Sequence, residues 1–293
     1  MAIVERRTID ELIVLYRRER SLHDVVVEGD RDRSLFRWFA SRRAPSAGVL
    51  TVDHIDIPSQ LIVGHGERPG RRGAVITLAL EIAERAPDVL ASQLTCVADR
   101  DGEDVSQLNE SVPGLLSTDY SSIELYYFQE RVLEKLLLLG SGRMDIAPAT
   151  VIDAITPTLL KAFAIRRANL SLELGLEWLS FDRCCEIERM GITFDADDFM
   201  RRYLSKSGKL ARLTEFVAEV ERHLLLIPDE RRLFINGHDF VSLLTLYLAK
   251  TGILPRATEQ HVESLLRTSV EDAWLSDERL FERLSGRLTA ARD

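Results

Sequence analysis

Val25-Val26-Val27-Glu28-Gly29-Asp30-Arg31-Asp32 and Thr95-Cys96-Val97-Ala98-Asp99-Arg100-Asp101-Gly102 decide the reading of this chain. Each is a short apolar run that stops abruptly at carboxylates. Such runs, rich in β-branched residues and bounded by turn formers, are the pattern of strands buried on both faces of a parallel sheet. Ligands of open α/β sheets bind beyond the carboxyl ends of such strands. If these two strands lie side by side and parallel, Glu28, Asp99 and Asp101 converge on one point. Three carboxylates share a small volume only when something positive neutralises them. Hard oxygen donors with room for water suit Mg²⁺ or Mn²⁺.

Outward from these runs, strand and helix patterns alternate. The spacing predicts helices over Thr8–Arg20 (Thr8 as N-cap with Glu11 three residues on), Arg31–Ser41, Ala74–Arg85 and Ile123–Leu139. Strands are expected at His23–Val27, Gly48–Asp53, Ser92–Ala98 and Ser111–Thr118. The loop GHGERPGRRG spans residues 64–73. Alternation of this kind predicts an α/β domain, a mainly parallel sheet flanked by helices, over residues 1–142. From residue 143 to 293 the patterns are helical: Thr150–Arg167, Leu170–Leu179, Ala196–Arg202, Lys209–Leu226, Phe240–Thr251, His261–Thr268 and Asp277–Leu288. Leu233-Phe234-Ile235 is the best strand candidate there. Two domains are expected, an α/β domain and a helical one.

The chain has 293 residues, 45% hydrophobic and 29% charged, which is globular composition with ample apolar content for a core. A net charge of −9 argues against a simple polyanion-binding module. The amino-terminal quarter is the more basic part, and its basic residues are all arginine, the residue suited to bidentate phosphate contacts. Three cysteines, two of them adjacent, give neither a disulfide framework nor zinc spacing. The charged, amphipathic start lacks the apolar core of a secretory signal, and no stretch approaches eighteen apolar residues. A cytoplasmic chain with no membrane association is expected.

Each candidate carries a bland alternative. Glu28 ends a strand, where it has no capping task. Asp30 and Asp32 begin a helix, so Asp32 either caps it or joins the metal site. Asp99 and Asp101 are alternate residues, which on an extended chain point the same way; the alternative is an ordinary strand-to-turn passage. Asp119 and Glu124, in Thr118-Asp119-Tyr120-Ser121-Ser122-Ile123-Glu124, either add ligands for a second metal or serve a helix start. Arg31 borders the first acidic cluster, while Arg68, Arg71 and Arg72 lie in the glycine-rich loop, where they either track a nucleic-acid backbone or are solvated. No Gly-Lys-Ser/Thr follows that loop, so it is not a P-loop. Phe36, Trp38 and Phe39 read as core, as does Cys96, while Tyr126, Tyr127 and Phe128 read as core or interface.

The Glu28-Gly29 and Asp99-Arg100-Asp101 segments together resemble the TOPRIM superfamily, whose pattern is a strand-terminal Glu-Gly and a later strand-terminal Asp-x-Asp. With TDYSSIE (118–124) and INGHDFVSLL (235–244), the chain is similar to the stand-alone TOPRIM nucleases of PARIS-type anti-phage systems, related to the overcoming-lysogenization-defect nucleases. The resemblance is good over residues 20–140 and thinner beyond. It implies divalent-metal phosphodiester hydrolysis with Glu28, Asp99 and Asp101 at its centre. It further implies an RNA (including tRNA) or DNA substrate, a defence role, and an ABC-type ATPase partner that holds the nuclease in check. One ion held by Asp99, Asp101 and Glu28 would activate water. A second would use Glu28, Asp119 or Glu124; Glu28 is alternatively a general base. His238 stands where a Lys is often expected, which leaves it either a charge-stabilising, nucleic-acid-facing group or a helix-start residue. The competing reading is a non-catalytic TOPRIM-fold protein that acts on a partner through its helical half. The apolar helix faces there serve either internal packing or a homodimer.

Overall fold

The computed structural model describes residues 6–101, 106–188, 191–227 and 230–290. It has an α/β sheet architecture, with a four-stranded, wholly parallel sheet in the order Gly48–Thr51, Asp24–Val27, Leu94–Ala98, Leu115–Ser117. The two acid-terminated runs are the central neighbours, paired parallel in the register Asp24 with Leu94, Val25 with Thr95 and Val26 with Cys96. Val25, Val26, Val27 and the whole Leu94–Ala98 strand are buried, as a doubly covered sheet requires. Cys96 is part of that core.

Two compact units emerge: the described residues up to Asp119 together with those from Glu271 onward, and Tyr120–Val270. The expected boundary at residue 142 is therefore displaced, and the last helices return to the first unit. The reason is coverage of the sheet. One face is closed by the helices Ile9–Arg18 and Arg71–Arg85, whose Leu12, Tyr16, Val75, Leu78 and Ile82 join Val26 and Cys96 in one cluster. On the other face the helix Asp30–Ser41 packs Phe36 and Phe39 against Phe281 of the helix Arg279–Ala290, ring centroids 5.5 and 4.8 Å apart. Polar ties hold the returning segment. Arg43 lies over the Phe39 ring and binds Asp272 through two nitrogens, at 2.7 and 3.2 Å. Arg287 reaches the sheet itself, donating to Thr95 Oγ1 at 2.8 Å.

Local chemistry sets the element starts. Thr8 and Glu11 form the expected capping box at Ile9–Arg18. The helix Arg71–Arg85 begins earlier than its apolar pattern, because the loop before it folds back onto its first turn. A Cβ on Gly73 would overlap the Arg68 carbonyl oxygen, so only glycine admits that approach. A two-residue parallel pairing of Arg7–Thr8 with Ile55–Asp56, with no signal in the sequence pattern, extends the first unit.

The second unit is mainly helical. Its core helix, Pro148–Ser171, buries Ile155, Leu159, Ala162, Ile165 and Ala168, and meets the helices Leu213–Leu224 and Gly237–Lys250. By length and composition this helix could cross a membrane, contrary to the expectation that no segment would qualify. Alanines interspersed among Ile, Leu, Val and Phe raise its mean hydropathy without forming a continuous large-apolar run, and its buried residues mark it as a core helix.

Three further expectations fail here. Ile123–Leu139 is not one helix but a 3₁₀ segment Ile123–Tyr127, an α-helix Glu130–Lys135 and a π turn Leu136–Gly140. Tyr126, Tyr127 and Phe128 are all buried, and three consecutive residues cannot share one helical stripe. Helix is absent over residues 172–179, because Glu173 and Gly175 take positive φ and the Asn169 side chain binds both the N–H and the C=O of Leu176. Leu233–Ile235 is not a strand, since Arg231–Phe234 form a 3₁₀ turn with Glu230 accepting the Arg232 N–H. An antiparallel hairpin, Cys185–Glu188 with Gly191–Phe194, has no counterpart among the sequence expectations.

Candidate acidic site

The Asp24–Val27 strand ends at Val27 and the chain turns at Glu28 and Gly29 into the helix Asp30–Ser41. The neighbouring strand ends at Ala98 and continues to Asp99. Parallel pairing brings the two exits together, and Glu28 Oε1 accepts the Asp99 N–H at 2.8 Å. This bond fixes the first acid against the backbone of the second cluster.

Arg72, in the first turn of the helix Arg71–Arg85, organises the second cluster. Its Nε donates to the Asp99 carbonyl at 2.8 Å and lies 3.7 Å from Asp101 Oδ2, while Nη1 lies 3.3 Å from Glu67 Oε2. Asp101 has φ 51°, in the left-handed region, so the chain is not extended there. The alternation argument for Asp99 and Asp101 therefore fails, and it is Arg72 that ties the Asp99 backbone and the Asp101 carboxylate to one point. Asp101 remains 57% exposed at its side chain. Gly102 of the same motif lies outside the described residues. On the far side, the Arg100 N–H binds Thr118 Oγ1 at 3.0 Å and its guanidinium reaches the Asp119 carbonyl at 3.4 Å.

The other predicted ligands divide by role. Asp32 Oδ2 accepts the Gly29 N–H at 2.9 Å, the reciprocal half of a helix-start cap. Even so, its charge acts on Glu28. Asp119 Oδ2 accepts the Leu280 N–H at 3.0 Å, which caps the returning helix Arg279–Ala290. Glu124 belongs to the second unit, where it is 7% exposed against the first turn of Gly237–Lys250, and a Cβ on Gly237 would overlap it. His238 is exposed in that same turn, which Asn236 caps through the Asp239 N–H at 3.2 Å. Beside it, the buried Asp239 pairs with Arg166 at 2.6 and 2.7 Å. Burial pushes the Asp239 carboxyl up, opposed by Arg166.

Electrostatics single out Glu28. Burial, reinforced by Asp101 and Asp32 and opposed by the Asp99 N–H and Arg72, pushes its carboxyl from 4.5 up to about 7. Among the described residues no three acidic, histidine or cysteine groups stand close enough to enclose an ion as they are placed. The donor chemistry nevertheless fits a hard divalent cation: oxygens only, an excess of negative charge at Glu28, and an exposed Asp101 at the rim.

Cations flank the acids. Arg71 binds Asp53, beyond the end of the Gly48–Thr51 strand, through Nε at 3.3 Å and Nη2 at 2.6 Å, and its Nη1 lies beside Gly29. Arg68 and Arg31 are exposed, one in the loop that folds onto Gly73 and the other in the first turn after Gly29. The pinning of Arg71 by Asp53 was the functional-site feature that sequence reasoning missed; Asp53 at the end of a strand candidate was its only signal. No family model matches the chain, and no curated protein sequence matches it.

Proposed function

We propose that the chain is a Mg²⁺- or Mn²⁺-dependent TOPRIM nuclease that hydrolyses phosphodiester bonds in RNA, tRNA included, or DNA, as the effector of a bacterial anti-phage system controlled by an ABC-type ATPase. The observation that carries this reading is the Glu28–Asp99 contact at the carboxyl ends of two adjacent parallel strands, with Asp101 and Arg72 beside it. The TOPRIM assignment and the defence role rest on the motif resemblance.

Glu28, Asp99 and Asp101 would hold the cation. When bound, it supplies a polarised phosphate and a more acidic water. The chain's own residues do the rest. Glu28 Oε1 is engaged by the Asp99 N–H, which leaves Oε2 either to hold the cation or, as a general base, to take a proton from water. Arg71, held in place by Asp53, and the exposed Arg68 and Arg31 offer guanidinium groups to phosphates flanking the scissile bond. Arg72 is committed to Asp99 and Asp101 and acts as a positioning residue.

The test is cleavage of plasmid DNA and total RNA by the full chain with Mg²⁺ or Mn²⁺, beside Glu28→Ala and Asp99→Ala. Metal-dependent cleavage lost in both variants, with their folding retained, supports the reading. Cleavage at the full rate in both variants overturns it. A second reading, a non-catalytic TOPRIM-fold protein acting through its helical half, has one observation in its favour: Asp32 and Asp119 each use a carboxylate oxygen to cap a helix. Under it, both variants retain partner binding and biological effect.

A further inference from the structure

At the amino ends of the same central strands, opposite the acidic site, the first unit contains a cavity of about 590 Å³. Three arginines line it: Arg20, Arg283 and Arg287. Asp24 is the lone carboxylate of that lining, and it already accepts the Tyr16 hydroxyl at 2.8 Å and the Gly48 N–H at 3.0 Å. Arg20 reaches Asp88 at 3.3 Å, an exposed pair that leaves it largely solvated.

Arg287 is the unusual member. It donates to Thr95 Oγ1, Pro113 O, Leu90 O and Leu94 O, and all four partners are neutral. A guanidinium has five N–H groups, so one on Nη1 is left over. The nearby Cys96 is a buried thiol pushed up to about 12, and is therefore neutral as well. A charge withdrawn from water without a counter-charge is costly. Burial holds Arg287 below its ordinary value, opposed by the Cys96 sulfur, and Arg283 adds to the lowering. Arg283 stands four residues earlier on the same helix, in the spacing at which like charges face one another and destabilise the helix. Among the described residues the Arg283 side chain makes no hydrogen bond or ion pair. The fold thus places two repelling arginines, one of them without a counter-charge among the described residues, on the wall of a cavity. An anion bound there would neutralise both.

We propose that this cavity binds a phosphorylated small molecule of nucleotide size. Arg–phosphate pairing supplies the charge match. The volume lies in the range of small-molecule pockets and exceeds the need of a bare phosphate. Pro113, Leu116 and Leu288 give the remainder an apolar wall suited to a base.

The experiment is calorimetric titration of the full chain, without divalent metal, with AMP, GMP, CMP, UMP and inorganic phosphate in turn. The proteins are the unsubstituted chain, Arg283→Ala and Glu28→Gln. Saturable one-site binding of at least one nucleotide is expected, at least about tenfold tighter than inorganic phosphate. Arg283→Ala should weaken it at least about tenfold, as loss of a charged hydrogen bond does, while Glu28→Gln leaves it unchanged. Should Arg283→Ala fold poorly, Arg20→Ala serves as the second variant, with the same expected direction. No saturable binding overturns the proposal, as does binding no tighter than that of inorganic phosphate. Nucleotide binding that survives the arginine variants but is lost in Glu28→Gln also overturns it, because it puts the ligand at the acidic site.

Discussion

Replacing Glu28 by Gln should stabilise the first unit, and should do so only on one side of a pH window. In the folded chain burial and the charges of Asp101 and Asp32 raise the carboxyl from 4.5 to about 7. Below pH 4.5 the group is protonated whether the chain is folded or not, and it costs nothing. Between 4.5 and 7 the folded state keeps a proton that the unfolded state has released, so stability falls as pH rises. Above pH 7 the folded chain carries the ionised group at a cost of about 3 kcal/mol, from about 1.4 kcal/mol for each pH unit of displacement. Gln keeps an oxygen for the Asp99 N–H and never ionises. Glu28→Gln should therefore match the unsubstituted chain at pH 4.5 and exceed it by about 3 kcal/mol at pH 8. Adding Mg²⁺ at pH 8 should raise the unsubstituted chain and leave the variant unmoved. Because the two units need not unfold together, the measurement is amide exchange in the Asp24–Val27 and Leu94–Ala98 strands across this pH range. A stability difference that does not change with pH would refute the reasoning.

Asp272→Ala should cost about 3 kcal/mol, since it strands the half-buried Arg43 guanidinium, and chemical denaturation of the first unit should register it. Asp119→Ala should lose about 1 kcal/mol through the returning helix, and Asp119→Ser should restore most of it; a failure of Ser to restore it, with metal binding lost, would assign the carboxylate to a metal instead. Gly73→Ala should cost about 1–3 kcal/mol by driving the Arg68 carbonyl off the helix. It should also weaken RNA or DNA binding measured by filter retention more than Thr8→Ala does, although that variant loses a helix cap of similar worth. Arg71→Ala should lower nucleic-acid affinity and flatten its salt dependence; an unchanged slope would show that Arg71 meets no phosphate.

The central strands were legible because Val25–Val27 and Thr95–Ala98 combine β-branched composition with abrupt polar ends, and no helix accommodates three successive valines as readily. Their adjacency was legible only as a condition, since order within a sheet leaves no mark on a strand's own residues. Glu28 meets Asp99 through the Asp99 backbone N–H, whereas the expected convergence of three carboxylates is not present among the described residues. Asp101 does not point by alternation, because its left-handed backbone depends on a turn that composition does not specify. Asp119 could be read as a cap, but not as a cap for a helix whose first turn lies at Leu280. The same limit hid the return of the final helix: an amphipathic stripe declares that a face will be buried, not against which partner. The triple aromatic Tyr126-Tyr127-Phe128 reads as core or interface, and burial of all three is what breaks the helix expected around them.

The returning helix also orders events in time. Chains emerge from the ribosome amino end first. All four strands of the parallel sheet, the acidic exits and the arginine loop are therefore made long before Phe281 and Arg287. One face of that sheet is covered only in part, by Asp30–Ser41, until Arg279–Ala290 has been synthesised, while Tyr120–Val270 can fold in the interval as a separate unit. The chain leaves the first unit just after Asp119, and Leu280, soon after its return, is held by that same residue. A chain halted before the final helix would carry every residue of the candidate acidic site on a half-covered sheet. In this architecture, synthesis of Arg279–Ala290 is the step that completes the cover of the sheet on which the candidate site residues already stand.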